Sequence, residues 1–110
     1  MSAVFELKSN SDQQFFFHLL DSKGEVLLLS AEYPSKQEAE KAIQDVRVGS
    51  LMSNQIAAGK VAAGDSFFVI KDGVGDVVAK SLLFSSRMVF DNALHAVKDH
   101  ACVAEISDLT

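Results

Sequence analysis

Two pairs of a serine and a cation are the residues of this chain best suited to hold a charged ligand. Ser35-Lys36 and Ser86-Arg87 each stand just before a segment with helical periodicity. The free N–H groups and the dipole of a helix N-terminus favour anions. Phosphate or nucleic acid could therefore bind at Ser86, Arg87 and Lys98. A weaker copy of this site would use Ser35, Lys36 and Arg47, although an ordinary N-cap serine beside a solvated cation accounts for the same residues.

The remaining reactive groups do not form a recognisable catalytic or metal site. Gly59-Lys60 resembles the end of a phosphate-binding loop, but Asn54 stands where that loop needs a glycine and Val61 where it needs serine or threonine. His100 and Cys102 are the one local pair of metal ligands, and two ligands are too few for a zinc site. The carboxylates are scattered through turns and polar helix faces. The sequence therefore predicts a non-enzymatic protein without a cofactor or a metal ion.

Composition limits the class of protein further. The chain has 110 residues, 48% of them hydrophobic, and a formal net charge of −5 that is spread over both halves. These values favour one globular domain and disfavour nucleic acid as a partner, since no basic region is available to attract it. The single cysteine fits a reducing compartment, and no run of apolar residues is long enough to cross a membrane. We expect a cytoplasmic protein with no membrane association.

The first half of the chain is similar in sequence to the second half. Residues 5–48 align without a gap on residues 56–99, and nine of the 44 aligned pairs are identical. The identical pairs are Phe16/Phe67, Phe17/Phe68, Asp21/Asp72, Gly24/Gly75, Val26/Val77, Ser30/Ser81, Ser35/Ser86, Ala42/Ala93 and Val46/Val97. We therefore expect residues 1–110 to form a single domain made of two pseudo-symmetric repeats, about 1–53 and 54–110.

Each repeat is predicted to fold as β-β-β-α-β. The strands of the first repeat are expected at Val4–Lys8, Gln14–Leu20 and Glu25–Ala31, where aromatic and branched residues alternate or cluster. Ser35 begins a capping box, apolar residues follow at helical spacing, and Gly49 is expected to stop that helix as a glycine beyond its last turn. The final strands of the two repeats are expected at Leu51–Gln55 and Cys102–Ile106.

Several short motifs together resemble the YegP-like proteins, an uncharacterised bacterial family built from tandem copies of a short domain of unknown function. The motifs are Phe5-Glu6-Leu7, Phe15-x-Phe17-x-Leu19 with Gly24-Glu25-Val26, Ser30-x-x-Tyr33-x-Ser35-Lys36, Phe68-x-Ile70, Ser81 and Phe84-Ser85-Ser86-Arg87. The resemblance implies an α+β fold in which both repeats share one antiparallel sheet, exchange their C-terminal strands and place both helices on one face. It implies no known activity, ligand or catalytic residue. Ser66 departs from the pattern, because it stands at the position of Phe15.

One face of the predicted sheet is unexpectedly apolar. The alternation of side chains assigns Phe15, Phe17 and Leu19 to the core. The residues expected on the opposite face are Phe16, His18, Leu20, Leu27, Leu29, Phe67, Val69 and Val78. Lys71 and Lys80 interrupt this surface in the second repeat, so the apolar patch is expected mainly in the first. The patch predicts binding to a protein partner or to a second copy of the chain, unless sheet twist or a swapped strand covers it.

Overall fold

The computed structural model of the chain describes residues 3–110, which share one sheet and one hydrophobic core. The strands are β1 Val4–Ser9, β2 Phe15–Leu20, β3 Val26–Ser30, β4 Ile56–Lys60, β5 Ser66–Lys71, β6 Val77–Lys80 and β7 Glu105–Asp108. The helices are α1 Lys36–Gly49 and α2 Arg87–His100, with short 3-10 turns at Ser53–Gln55 and Ala101–Val103. The predicted α+β class, the strands β1 to β3 and the start of α1 are confirmed.

The seven strands lie in the order β4-β5-β6-β3-β2-β1-β7. Adjacent strands are antiparallel except for β7, which runs parallel to β1. The expectation of a wholly antiparallel sheet is therefore wrong, and the sheet is mixed. Most of the chain separates β1 from β7, so no short hairpin requires the two strands to be antiparallel.

Of the two segments predicted as the C-terminal strands of the repeats, only the second forms a strand. β7 lies beside β1, in the first half of the chain, whereas Leu51–Gln55 forms a turn and a 3-10 helix that lead directly into β4. The expected reciprocal exchange of strands is therefore wrong. The segment predicted as Cys102–Ile106 also begins later, at Glu105, because Ala101 and Ala104 are buried in the core on either side of a 3-10 turn.

The element order β-β-β-α occurs twice along the chain, and two pairs of corresponding polar residues make the same hydrogen bonds. Asp21 accepts a hydrogen bond from the backbone N–H of Glu25 at 2.9 Å, and Asp72 accepts one from Asp76 at 2.9 Å. Both aspartates thereby fix the turn between the second and third strands of their run. An Asp and a Gly at the two ends of a four-residue connection predict a hairpin turn, and both Asp21–Gly24 and Asp72–Gly75 form one.

Two serine hydroxyls replace backbone partners inside the sheet. Ser30 Oγ accepts from the N–H of Phe17 at 2.8 Å, and Ser81 Oγ accepts from the N–H of Phe68 at 2.9 Å. Each hydroxyl also donates to the carbonyl of the residue that follows it. A buried N–H needs a hydrogen-bond acceptor, so each hydroxyl accepts from a strand N–H at the point where backbone pairing between the strands ends.

Both helices pack on the same face of the sheet. The strand residues at alternate positions of β1, β2 and β5 are fully buried, and their neighbours on the other face are half-buried. The buried side chains of the helices are Ala39, Ala42, Ile43, Val46, Phe90, Ala93 and Val97. Burial of this apolar surface is the main source of stability for a domain of this size.

The two halves fill their cores with different aromatic residues. Ser66 replaces Phe15 on the strand, but Phe90 stands on α2 where α1 has Ala39. The ring of Phe90 lies 5.7 Å from that of Phe68 in an edge-on arrangement, and it lines the same depression as Ser66. In the second half, an aromatic ring on the helix therefore takes the place of the aromatic ring that the first half carries on its strand. Such compensation keeps a core close-packed.

The end of α1 is packed tightly against the sheet. Gly49 is the last helical residue, and Ser50 caps the helix in an ordinary right-handed conformation. The expectation that Gly49 stops the helix as a left-handed glycine is therefore wrong. A Cβ atom at Gly49 would come within 2.8 Å of Ile70 Cγ2 and 2.9 Å of the Lys71 carbonyl oxygen. Glycine is required here for close approach, not for an unusual backbone angle.

Candidate functional site

The sheet face opposite the helices, called here the outer face, carries most of the residues predicted to bind a partner. In the cross-strand register, His18 lies between Glu6 of β1 and Leu29 of β3. The predicted residues that share this face are Phe16, His18, Leu20, Leu29, Phe67 and Val69. Each is half-buried, because twisted neighbouring strands bring side chains on one face into contact.

Leu27 and Val78 do not belong to the outer face. Both are buried, at 6% exposure, and both belong to the hydrophobic core. The reason is a β-bulge in each half: Leu19 pairs with Leu28 while Leu20 pairs with Val26, which leaves Leu27 without a partner. An extra residue shifts the alternation of side chains. Their assignment to a binding surface is wrong.

Phe67 has a local packing role on the outer face. Gly59 is its cross-strand partner, and a Cβ atom at Gly59 would lie 2.9 Å from the Phe67 ring. The ring therefore covers the bare backbone of the glycine, a known way of stabilising glycine in a strand. Phe16 in the first half instead faces Lys8 and lies 5.4 Å from the His18 ring.

The second half carries an exposed apolar depression that the sequence reading missed. It has a volume of about 360 Å³ and lies beside Phe67 and Lys80. Three of its lining residues are exposed apolar side chains: Val61 (36% exposed), Leu82 (45%) and Leu83 (55%). Apolar side chains are therefore exposed beside the outer face of the second half, in addition to the apolar residues predicted for the first half. The sequence contained one indication of this depression: Leu82 and Leu83 are adjacent apolar residues that follow a strand and are not among the residues predicted for the core.

The corresponding place in the first half is polar. Asn10 and Glu32 stand where the second half has Val61 and Leu83, and the Asn10 side-chain amide donates a hydrogen bond to the Glu32 carboxylate. Asn10 also accepts from the backbone N–H of Gln14 at 3.1 Å. The same backbone position thus tolerates a polar pair in one half and an apolar pair in the other.

His18 is the titratable group at the centre of the outer face. Partial burial of the ring, and then the positive charge of Lys8, lower the pKa of His18 below its ordinary value of 6.5, against the opposing effect of Glu6. The folded state therefore favours the neutral imidazole.

His18 is expected to titrate below pH 6.5 in the folded protein, and Lys8→Gln should move its pKa upward. Because the folded state disfavours the imidazolium, the stability contributed by neutral His18 is present above the unfolded pKa near 6.5 and is lost as pH falls through the folded value. An NMR titration of the imidazole resonances measures the pKa. A His18→Gln variant should lose less stability than the parent chain between pH 7 and 5, and equal losses would contradict the assignment.

The predicted anion sites are occupied by carboxylates of the protein itself. The Lys36 ammonium contacts the Asp108 carboxylate of β7, and this hydrogen bond, together with two from Thr110, lowers the pKa of Asp108 to about 2. Arg87 Nε contacts both oxygens of Asp91, one turn along α2, at 3.1 and 3.2 Å. Ser35 and Ser86 accept from the third backbone N–H of their helices, as ordinary N-caps do.

The structure also separates residues that the anion interpretation had grouped. Arg87 and Lys98 lie at opposite ends of α2, about 17 Å apart along a helix that rises 1.5 Å per residue. Lys36 and Arg47 are separated in the same way on α1. Arg47 instead lies over the Phe5 ring, 5.7 Å from its centroid, and donates to the Ala104 carbonyl. Neither group of residues can therefore close around a single phosphate.

The potential metal ligands of residues 3–110 do not cluster. No three His, Cys, Asp or Glu side chains in that range come close enough to hold a metal ion. Gly59 and Lys60 belong to β4 and not to a phosphate-binding loop. His95 pairs with Asp99 at 2.9 Å on the exposed side of α2. Within the same range no helix is long and apolar enough to span a membrane.

Comparison with known proteins defines the class to which this fold belongs. A family model described as a domain of unknown function, DUF1508, matches residues 10–50. UPF0339 protein PA0329 of Pseudomonas aeruginosa is 33% identical over 108 residues, which cover 98% of each chain. The chain therefore belongs to the UPF0339 family, an uncharacterised bacterial family, and the predicted resemblance to YegP-like proteins is confirmed.

Individual relatives match over the whole chain. UPF0339 protein YegP of Escherichia coli is 29% identical over 110 residues, covering all of both chains. The NMR structure of UPF0339 protein SO3888 from Shewanella oneidensis has a TM-score of 0.95 at 30% identity and covers 100% of this chain and 93% of that one. The NMR structure of YegP from E. coli has a TM-score of 0.92 at 29% identity, with 100% and 95% coverage. None of these descriptions names an enzymatic activity.

Proposed function

We propose that this chain is a non-enzymatic binding module that acts through the outer face of its sheet. The observation that carries the proposal is the apolar depression formed by Val61, Phe67, Leu82 and Leu83. Exposed leucines grouped around an aromatic ring favour association, because covering them removes apolar surface from water. The occupant is a protein partner or a second copy of this chain.

The half-buried residues of the first half extend this surface. Phe16, Leu20 and Leu29 continue the apolar character across β2 and β3, and the lowered pKa of His18 favours its neutral imidazole. Lys80 lies between Val69 of β5 and Leu29 of β3, so one positive charge separates the apolar areas of the two halves. Protein–protein interfaces commonly combine apolar area with a few charged groups.

Replacing the apolar pair of the second half by the polar pair of the first should abolish binding without loss of stability. In Val61→Asn/Leu83→Glu, the new side chains can form the hydrogen bond that Asn10 and Glu32 form at the corresponding place. Losing two apolar contacts at the centre of an interface should weaken association at least about tenfold. Affinity capture from a bacterial lysate and sedimentation of the purified chain measure binding to a partner and to itself.

The matched control is Met88→Glu, which adds the same single negative charge at an apolar residue of α2 that is 73% exposed. It should capture the same partners as the parent chain. A second double variant, Phe16→Glu/Leu20→Lys, leaves the net charge unchanged and places the new glutamate opposite Lys8. If both outer-face variants associate as strongly as the control, the outer face is not the binding surface.

We further propose that the two β-β-β-α runs are copies of one ancestral unit, and that the protein works in the cytoplasm. The shared roles of Asp21 and Asp72, and of Ser30 and Ser81, support the first statement. The single cysteine supports the second. Phosphate or nucleic-acid binding at the helix N-termini is the less favoured alternative, because Ser35 and Ser86 cap their own helices and the cations grouped with each serine lie at opposite ends of a helix.

A further inference from the structure

The two edges of the sheet differ in a way that points to a second binding surface. β7 covers the outer edge of β1, with Phe5 opposite Ile106 and Leu7 opposite Asp108. The N–H of Leu109 continues this pairing by donating to the Leu7 carbonyl at 2.8 Å. Asp108 then places its carboxylate on Lys36 at the start of α1. β1 thus holds an extended acidic segment, anchored by backbone pairing and by one ion pair.

β4 is the strand that corresponds to β1 in the second half, and its outer edge is open. Within residues 3–110, β4 pairs only with β5. Backbone groups alternate in direction along a strand. Since Val61 donates toward β5, at Asp65, the N–H and C=O groups of Ile56, Ala58 and Lys60 point away from it. The segment before β4 turns directly into the strand and so cannot lie beside it.

A cation that corresponds to Lys36 lies beside the open edge of β4. Arg87 follows its N-cap serine on α2 as Lys36 does on α1, and its side chain is 85% exposed. A depression of about 270 Å³ lies between the two elements, and Arg87 lines it together with Ala58, Lys60 and Phe90. The only ion pair of Arg87 in the described residues is the exposed one with Asp91, which a partner carboxylate can replace at little cost.

We propose that the open edge of β4 binds an extended acidic peptide of another protein, parallel to β4, with its carboxylate on Arg87. By analogy with β7, the peptide places an apolar side chain opposite Ile56 and an Asp or Glu opposite Ala58. Lys60 and Arg87 favour this occupant over a second copy of β4, which would bring like charges together. This surface is separate from the outer face, and it recognises main chain as in other cases of strand addition.

The chain's own last strand supplies the probe. The acetylated peptide Val-Ala-Glu-Ile-Ser-Asp-Leu-Thr, which copies residues 103–110, is titrated into the ¹⁵N-labelled full chain. We expect amide shifts at Ile56, Ala58 and Lys60. The same peptide with Asn in place of its Asp should bind about tenfold more weakly, as should the parent peptide to Arg87→Gln, since each loses a charge-assisted hydrogen bond.

Ala58→Pro gives a separate test of backbone recognition. It removes an N–H that points to the open edge while leaving the pairs with β5 intact, so the chain should fold and lose the peptide. The proposal is overturned if shifts appear on β1 because the peptide displaces β7, if the Asn peptide binds equally well, or if millimolar peptide causes no shifts. It is also overturned if the free chain dimerises through β4. Arg87→Gln decides the question should Ala58→Pro fail to fold.

Discussion

Replacing Phe68 by alanine is expected to lower the free energy of unfolding by about 3–5 kcal/mol, the largest loss we expect from any single change discussed here. The ring is fully buried on β5. It lies edge-on to Phe90 at 5.7 Å and stacks on Phe84 at 6.3 Å, so truncation leaves a cavity beside these two remaining rings. Urea unfolding followed by circular dichroism measures the loss.

Phe67→Ala is the matched control, because Phe67 is the same residue type one position earlier in the same strand. Its side chain lies on the outer face and is only half-buried, so less apolar surface returns to water. We expect a clearly smaller loss than for Phe68→Ala. Losses of equal size would mean that the aromatic cluster beneath α2 is not the centre of the core in the second half.

Gly49→Ala is expected to destabilise the protein by about 1–3 kcal/mol, although alanine normally favours a helix over glycine. The added Cβ would approach Ile70 Cγ2 to 2.8 Å and the Lys71 carbonyl oxygen to 2.9 Å. The carbonyl belongs to the backbone of β5 and cannot rotate aside. Either α1 must move away from the sheet or its last turn must unwind, and thermal unfolding detects both.

Gly73→Ala provides the comparison for that change. A Cβ at Gly73 meets no neighbouring heavy atom within 4 Å, and the residue does not have a positive φ. Alanine there reduces the freedom of the unfolded chain and should be neutral or stabilising by up to about 1 kcal/mol. If Gly49→Ala behaved in the same way, close packing of α1 on β5 would not be the reason for glycine at position 49.

Local patterns in the sequence predicted most of the fold. Alternation identified the hairpin strands, Asp and Gly marked the turns, and Ser35 marked the first residue before α1. What local patterns could not give were features set by distant parts of the chain. The parallel pairing of β7 depends on where α2 delivers the chain, and the turn at Leu51–Gln55 depends on how little chain joins α1 to β4.

The outer face was predictable only in part for a similar reason. Strict alternation placed six of the eight predicted residues on the face but failed for Leu27 and Val78, because a bulge inserts one residue and shifts the period. The exposed pair Leu82-Leu83 lies after the last residue of β6, where alternation no longer applies. The open edge of β4 became visible only with the strand order, which no local pattern encodes.

The pairing of the last strand with the first sets the order in which this protein can be completed during synthesis. Val4 and Glu105 are 101 residues apart, so β1 leaves the ribosome long before its parallel partner exists. Closing so long a loop is entropically costly and late. Until then, the nascent chain presents two open strand edges, β1 and β4, and pairing of β7 closes the edge of β1. A chaperone that binds open strand edges would therefore bind β1 only in chains that have not yet formed β7. The edge of β4 is open before and after that step.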